Sequence, residues 1–126
     1  MSREPLIAIV DDDDSFRESV QELLQSAGRR AVTFASAEQF LASGAAATAD
    51  CLILDLRMPR INGLELQRRL RAAGFRIPTI VITAHADDVS RGRALAAGAA
   101  AFLPKPLQPD VLLLAIDTEL RASRPS

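Results

Sequence analysis

Short apolar runs alternate along this chain with segments in which apolar residues recur every three or four positions. Four of the runs are continuous, as in strands buried on both faces, and one, Ala31–Phe34, has a more alternating pattern. The five predicted strands are Leu6–Val10, Ala31–Phe34, Cys51–Leu54, Pro78–Ile82 and Ala100–Leu103. Strands that alternate with helices predict a single-domain, doubly wound α/β fold, with one parallel sheet and helices on both of its faces.

Capping and turn residues predict where the helices begin and end. Ser15-x-x-Glu18 has the pattern of a capping box and predicts a first helix that ends at Gly28. Asp13 and Asp14 precede it and are expected to be exposed or helix-start charges. The other helices are predicted to begin at Ser36, at Asn62, at Asp87 or Asp88, and at Pro109.

The composition fits one globular domain. The chain has 126 residues, 48% of them hydrophobic and 25% charged, so we expect a domain at residues 1–122 and a tail or the start of a linker at 123–126.

The net charge of −1 lacks the basic excess of a domain that binds nucleic acid directly. No apolar run approaches the roughly 20 residues of a membrane span, and a cytoplasmic location without membrane contact is expected. Cys51, the single cysteine, is expected to be a buried thiol.

Polar residues follow four of the five predicted strands. Asp11 and Asp12 come after the first strand, and Asp55, Thr83 and Lys105 come after the third, fourth and fifth. Because parallel strands deliver their carboxyl ends to one edge of a sheet, these residues are expected to converge. Neighbouring carboxylates repel one another unless a cation lies among them. Their hard oxygen ligands predict a Mg²⁺ site at this edge.

Thr83 and Lys105 add groups that favour phosphoryl chemistry. Lys105 is the only lysine among the 15 basic residues, and its compact ammonium suits a small anionic site better than a planar guanidinium does. The Thr83 hydroxyl can donate a hydrogen bond to a phosphoryl oxygen. With the Asp55 carboxylate as the nucleophile, these residues predict a site that accepts a phosphoryl group.

Other classes of phosphate-handling protein fit the sequence less well. A phosphatase of the haloacid dehalogenase type needs a second acid two residues after its nucleophile, where this chain has Arg57. Neither glycine-rich nucleotide-binding motif occurs among the six glycines. The alternative that stays open is a phosphate-independent adaptor that has the same fold and acts by protein contact.

Four motifs together resemble a known family. They are Ile9-Val-Asp-Asp12, Leu54-Asp-Leu-Arg-Met-Pro59, Val81-Ile-Thr-Ala84 and Lys105-Pro106. In order and spacing they resemble the response-regulator receiver (CheY-like) domain, and the second and third are most similar to its FixJ type. The resemblance covers nearly the whole chain and implies a flavodoxin-like fold with strand order 2-1-3-4-5. It also implies a two-component signalling protein whose only chemistry is its own phosphorylation and dephosphorylation.

The resemblance implies roles for individual residues of the site. Asp55 would accept a phosphoryl group from a phosphohistidine on a sensor histidine kinase. Asp12 and Asp55 would bind Mg²⁺ directly, and Asp11 would act largely through water. The backbone carbonyl of Arg57 would complete the protein ligands of the metal.

The resemblance also implies a switch. Thr83 and Lys105 would contact the phosphoryl oxygens, and Thr83 would move inward and vacate space into which Phe102, at the aromatic switch position, can rotate. The face built from the fourth helix, the fifth strand and the fifth helix would then change, and it would control phosphorylation-dependent dimerisation or an output domain. Members of the FixJ type usually carry a C-terminal DNA-binding domain, so a transcriptional output is expected. This chain does not contain such a domain.

Two further expectations concern the rim of the site. Arg57 lies two residues after Asp55, and His85 lies two residues after Thr83. From these positions we hypothesise that their side chains tune the lifetime of the phosphoryl group. Family members often have a cis peptide bond before the proline that follows the lysine, so Lys105–Pro106 is a candidate.

Overall fold

The computed structural model describes residues 4–122, so the predicted tail at 123–126 lies outside the described residues. The strands are β1 (Leu6–Val10), β2 (Arg30–Phe34), β3 (Cys51–Leu54), β4 (Thr79–Thr83) and β5 (Ala101–Pro104). The helices are α1 (Asp14–Ser26), α2 (Ala37–Ser43), α3 (Gly63–Ala72), α4 (Asp88–Ala96) and α5 (Pro109–Ala122), with a short 3-10 helix at Ala45–Ala47. No helix within this range is long and apolar enough to cross a membrane.

All five strands are parallel and form one sheet in the order β2-β1-β3-β4-β5. This order confirms the predicted doubly wound fold. The carboxyl ends of β1 and β3 lie side by side at the centre of the sheet, where the direction of winding reverses. Ligands of such folds bind at this point, so the topology places the predicted site where the fold class binds its ligands.

Side chains that alternate along the strands build a core on each face of the sheet. Ile7 and Ile9 of β1 pack in a cluster with α1 and α5, whereas Ala8 and Val10 pack in a second cluster with α2 and α3. Cys51 lies in the first cluster with no exposure, and burial raises the pKa of its thiol to about 12. The prediction of a buried thiol is confirmed.

The first helix begins earlier than the capping-box pattern predicts. Asp13 is the N-cap: its Oδ1 accepts the backbone N–H of Phe16 at 3.1 Å, and α1 begins at Asp14. The prediction of Ser15 as the cap is therefore wrong, because a carboxylate caps as well as a hydroxyl and is favoured by the helix dipole. The structure confirms the other predicted helix starts at Ser36, Asn62, Asp87 and Pro109.

Three strands differ by one residue from their predicted bounds: β2 begins one residue earlier, at Arg30, and β4 and β5 each begin and end one residue later. β4 begins at Thr79 because Pro78, the predicted first residue, has no backbone N–H to donate to the ladder. β5 extends to Pro104, and the N–H of Lys105 then donates to the carbonyl of Thr83 at 2.9 Å. This last hydrogen bond joins the carboxyl ends of β4 and β5 and fixes Lys105 at the edge of the sheet.

Candidate functional site

Three acidic residues meet at the carboxyl edge of the sheet. Asp11 and Asp12 directly follow β1 and Asp55 directly follows β3. Each offers one carboxylate oxygen to a group in which all three oxygens lie within 4.8 Å of one another. Asp11 and Asp55 are buried, with 1% and 7% exposure, whereas Asp12 is exposed. The structure thus brings together the three carboxylates that the sequence predicts to converge.

Lys105 joins the two buried carboxylates. Its Nζ lies 3.0 Å from Oδ2 of Asp11 and 3.0 Å from Oδ2 of Asp55. Burial alone would lower the pKa of Lys105, but the hydrogen bonds to Asp55 and Asp11 outweigh it and hold the pKa above its usual value of 10.5. The ammonium is therefore charged at neutral pH. The peptide bond Lys105–Pro106, which the resemblance makes a candidate, is cis.

Asp11 is held by its own loop and by α1. Its Oδ1 accepts the N–H of Asp13 at 2.9 Å, and its backbone carbonyl accepts from Nη1 of Arg17 at 2.7 Å. Arg17 also pairs with the carboxylate of Asp14. Burial raises the pKa of Asp11 above 3.8, although the bonds from Asp13 and Lys105 oppose that shift. The buried carboxylate thus depends on these donors to stay ionised.

The loop after β3 folds tightly around Asp55. Oδ1 of Asp55 accepts the N–H of Arg57 at 3.1 Å, and the N–H of Gly63 donates to the carbonyl of Leu56 at 3.0 Å. A Cβ on Gly63 would lie 2.8 Å from Cα of Leu56 and would also collide with the carbonyl oxygen of Asp55. On sequence grounds Gly63, which follows the helix cap Asn62, is most simply a turn residue. In the structure its missing side chain lets α3 start against the loop that carries Asp55.

Thr83 is the last residue of β4, whereas Phe102 lies on β5 opposite Val81, two positions before the residue that pairs with Thr83. Thr83 has no exposure, and its Oγ1 accepts the N–H of His85 at 3.1 Å. Phe102 is 6% exposed and packs with Val81, while the guanidinium of Arg91 lies 5.9 Å from its ring centroid. The aromatic ring therefore already occupies an inward position, and it needs no further rotation to become buried.

The two candidate tuning residues lie at the rim. Arg57 and His85 are both exposed. Arg57 lines a groove with Asp12 and Arg93, between the loop after β3 and helix α4. Both side chains therefore face solvent, and Arg57 does so beside Asp12 of the acidic cluster.

The chemistry of the donor set fits a divalent metal. Carboxylate oxygens are the ligands that Mg²⁺ prefers, and Mg²⁺ keeps several of its waters when it binds to proteins. The exposed Asp12 leaves the cluster open on one side, which gives room for those waters. The buried Asp55 faces the same cluster and carries an oxygen that can attack an electrophile.

The chain belongs to the response regulator receiver domain family, which it matches over residues 7–117. It is thus a receiver domain of two-component signalling, a class in which Mg²⁺ binding and a histidine kinase partner are general. Within that family it is similar to the FixJ type. The transcriptional regulatory protein FixJ of Azorhizobium caulinodans is 38% identical over 117 residues, which are 93% of this chain and 56% of that protein.

Two further comparisons support the assignment to this family. The response regulator protein TmoT of Ectopseudomonas mendocina is 42% identical over 119 residues, which are 94% of this chain and 54% of that protein. The superposition on a crystal structure named FixJ-N has a TM-score of 0.87 at 35% identity, and it covers 99% of this chain and 100% of that chain. The chain spans about half the length of the curated relatives it matches.

Proposed function

We propose that this receiver domain is a phosphoacceptor: Asp55 takes a phosphoryl group from a phosphohistidine on a sensor histidine kinase, with Mg²⁺ held at the acidic cluster. The observation that supports this most strongly is the position of Lys105, whose ammonium lies 3.0 Å from the Asp55 carboxylate. A buried nucleophile with a cation beside it and two more carboxylates within reach is suited to phosphoryl transfer. The phosphate-independent adaptor has no such need for these groups.

In the proposed reaction, an oxygen of Asp55 attacks phosphorus and forms an O–P bond. The N–P bond to the kinase imidazole breaks, and its electron pair leaves with the imidazole nitrogen. Mg²⁺, when bound, neutralises charge on the phosphoryl oxygens. Asp12, Asp55 and the carbonyl of Arg57 would hold the metal directly, with Asp11 acting largely through water. No other substrate is turned over, so the domain's chemistry is limited to its own phosphorylation and dephosphorylation.

Lys105 and Thr83 would bind the transferred group. The ammonium has three N–H donors, and it can redirect one from Asp55 or Asp11 to a phosphoryl oxygen. The Thr83 hydroxyl accepts the N–H of His85, which leaves its own hydrogen available for donation to a phosphoryl oxygen. We also propose that the exposed side chains of Arg57 and His85 set the access of water to the aspartyl phosphate and thereby its lifetime.

The output surface would be the face of α4, β5 and α5. Within residues 4–122, every large apolar side chain that is strongly exposed lies on α4 or α5: Val89, Leu95, Val111 and Leu114. Exposed apolar groups concentrated on the two helices next to the edge strand β5 favour an interface. We propose that phosphorylation shifts this face toward a homodimer or toward contact with an output domain that regulates transcription, as the names of its relatives suggest.

Metal binding tests the site without a kinase. Mg²⁺ affinity is measured by calorimetry for the wild-type domain, for Asp12→Asn and for Asp13→Asn. Asp13→Asn is a matched control, because asparagine caps a helix as well as aspartate does. We expect weaker Mg²⁺ binding in Asp12→Asn alone, and tight binding of beryllofluoride, a phosphoryl analogue, only when Mg²⁺ and Asp55 are both present. Equal Mg²⁺ affinity in all three proteins would contradict the proposed site.

A further inference from the structure

The ammonium of Lys105 has a third neighbour besides the two carboxylates. Its Nζ lies 4.1 Å from the ring centroid of Phe16, over the face of the ring. Phe16 is half-buried in the first turn of α1, and its backbone N–H is the one that the capping residue Asp13 accepts. The cap that starts α1 therefore also fixes the ring that covers Lys105.

The geometry of this contact is that of a cation–π interaction. The face of a phenyl ring carries partial negative charge, and it attracts an ammonium within about 6 Å of its centroid. A lysine side chain is flexible and loses considerable conformational freedom when it is held in one place. Asp11 and Asp55 hold the ammonium from one direction, and the ring closes off another. Together they restrict Nζ to a small volume beside the Asp55 carboxylate.

We propose that Phe16 is a positioning residue that holds the Lys105 ammonium beside Asp55 through the electrostatic attraction of its ring face. The inference rests on the proposed role of Lys105 in binding phosphoryl oxygens. When the ammonium is already in place, a phosphoryl group that approaches Asp55 meets a fixed positive charge. Ordering of a mobile side chain is then not part of the barrier to transfer.

A purely structural role for Phe16 is the competing explanation. The ring also packs against the core cluster that α1 and α5 share, so an ordinary truncation would disturb packing and electrostatics together. Fluorinated phenylalanines separate the two effects, because fluorine changes the size of the ring little while it progressively removes negative charge from the ring face. A series with one, two and three fluorines therefore changes the cation–π attraction step by step.

The chain offers both a clean probe and a matched control. Lys105 is the only lysine, so the side-chain NMR signals of its ε-methylene group can be assigned without ambiguity. Phe75 is another half-buried phenylalanine, and it lies in the turn between α3 and β4, at the opposite edge of the sheet. The same fluorination at Phe75 controls for general effects of the modified residue.

The experiment measures two quantities for each protein. The first is the rate of phosphorylation by acetyl phosphate at saturating Mg²⁺, and the second is the ring-current shift of the Lys105 ε-methylene protons. We expect trifluorination at Phe16 to slow phosphorylation about fivefold, with intermediate rates for one and two fluorines. The ring-current shift should shrink in parallel. In Phe16→Leu the shift should vanish, and in Phe16→Tyr both quantities should stay near those of the wild type.

The outcomes separate this inference from the proposed function. If the wild type is phosphorylated but fluorination at Phe16 alters neither the rate nor the shift, the positioning role of Phe16 is wrong and the phosphoacceptor function stands. Equal effects at Phe16 and Phe75 would also overturn the role. If the wild type is not phosphorylated at all, both proposals fail.

Discussion

Replacing Lys105 by methionine should expose how the site balances its charges. Methionine keeps most of the aliphatic length of lysine but removes the ammonium and its two hydrogen bonds of 3.0 Å. Asp11 and Asp55, which are 1% and 7% exposed, would then face each other without a cation. Breaking a buried charge pair by removing one partner costs about 3–5 kcal/mol.

This cost is large for a domain of this size. A total stability of about 5–15 kcal/mol is typical, and a chain of this length loses roughly 4 °C of melting temperature per kcal/mol. We therefore expect Lys105→Met to melt about 12–20 °C below the wild type at pH 7 in the absence of divalent metal. Because Mg²⁺ can replace the missing positive charge, saturating Mg²⁺ should raise the melting temperature of the variant more than that of the wild type.

The penalty should also depend on pH. The pKa of Asp11 is already above 3.8 because of burial, and loss of Lys105 raises it further. The folded variant therefore binds a proton more readily than the unfolded chain, so its stability rises relative to the wild type as the pH falls toward 4. In the wild type, the raised pKa of Lys105 means that its stabilisation is complete below 10.5 and is lost as the pH rises through the folded-state value.

Calorimetric melting of both proteins between pH 4 and about pH 11 in EDTA, and at pH 7 with Mg²⁺, measures the loss at pH 7, the stabilisation by Mg²⁺ and the dependence on pH. A loss of less than about 4 °C at pH 7 in EDTA would refute the reasoning, because it would mean that the pair costs about 1 kcal/mol or less to break. Equal stabilisation of both proteins by Mg²⁺ would refute the claim that the metal and the ammonium neutralise the same carboxylates.

Three further predictions test other parts of the structure. Gly63→Ala should lower stability by about 1–3 kcal/mol and slow phosphorylation of Asp55, because the added Cβ has no room beside the loop after β3. Its control is Gly92→Ala in α4, where nothing lies near the added Cβ and stability should instead rise by about 0.5–1 kcal/mol. Urea unfolding measures both changes. Leu114→Glu, at a side chain that is 63% exposed, should leave phosphorylation unchanged but abolish any dimer formed with beryllofluoride, as determined by light scattering. Cys51 should react with a thiol reagent at pH 8 only at the rate of global unfolding, because it is buried and its thiol pKa is raised to about 12; fast labelling in native buffer would contradict this.

The sequence predicts the sheet and the polar residues at its edge well, because both depend on patterns along the chain. Buried parallel strands are continuous apolar runs, and β1 and β3 have the predicted bounds. The residue after such a strand must lie at the carboxyl edge, so the positions of Asp55 and Lys105 follow from the pattern alone. The strand order came from the resemblance to a family and not from these patterns.

Contacts between distant elements could not be predicted in the same way. The ring of Phe16 contacts Lys105, which is 89 positions away in the sequence. The helical spacing of the apolar residues predicts only that Phe16 is an ordinary core residue. Gly63 reads as a turn residue, although its function is to let two backbone segments approach. The inward position of Phe102 depends on packing against Val81, which no local signal specifies. Each of these features needs the folded chain, because its partner lies on another element.

The central claim is that Asp55 accepts a phosphoryl group with the help of Mg²⁺. Intact-mass spectrometry after incubation with acetyl phosphate tests this claim most directly, with Asp55→Asn and a sample in EDTA as controls. We predict the gain of one phosphoryl group in the wild type with Mg²⁺, and no gain in either control. An unmodified wild-type mass, in a sample in which Mg²⁺ binding has been demonstrated, would contradict the account and favour a phosphate-independent adaptor.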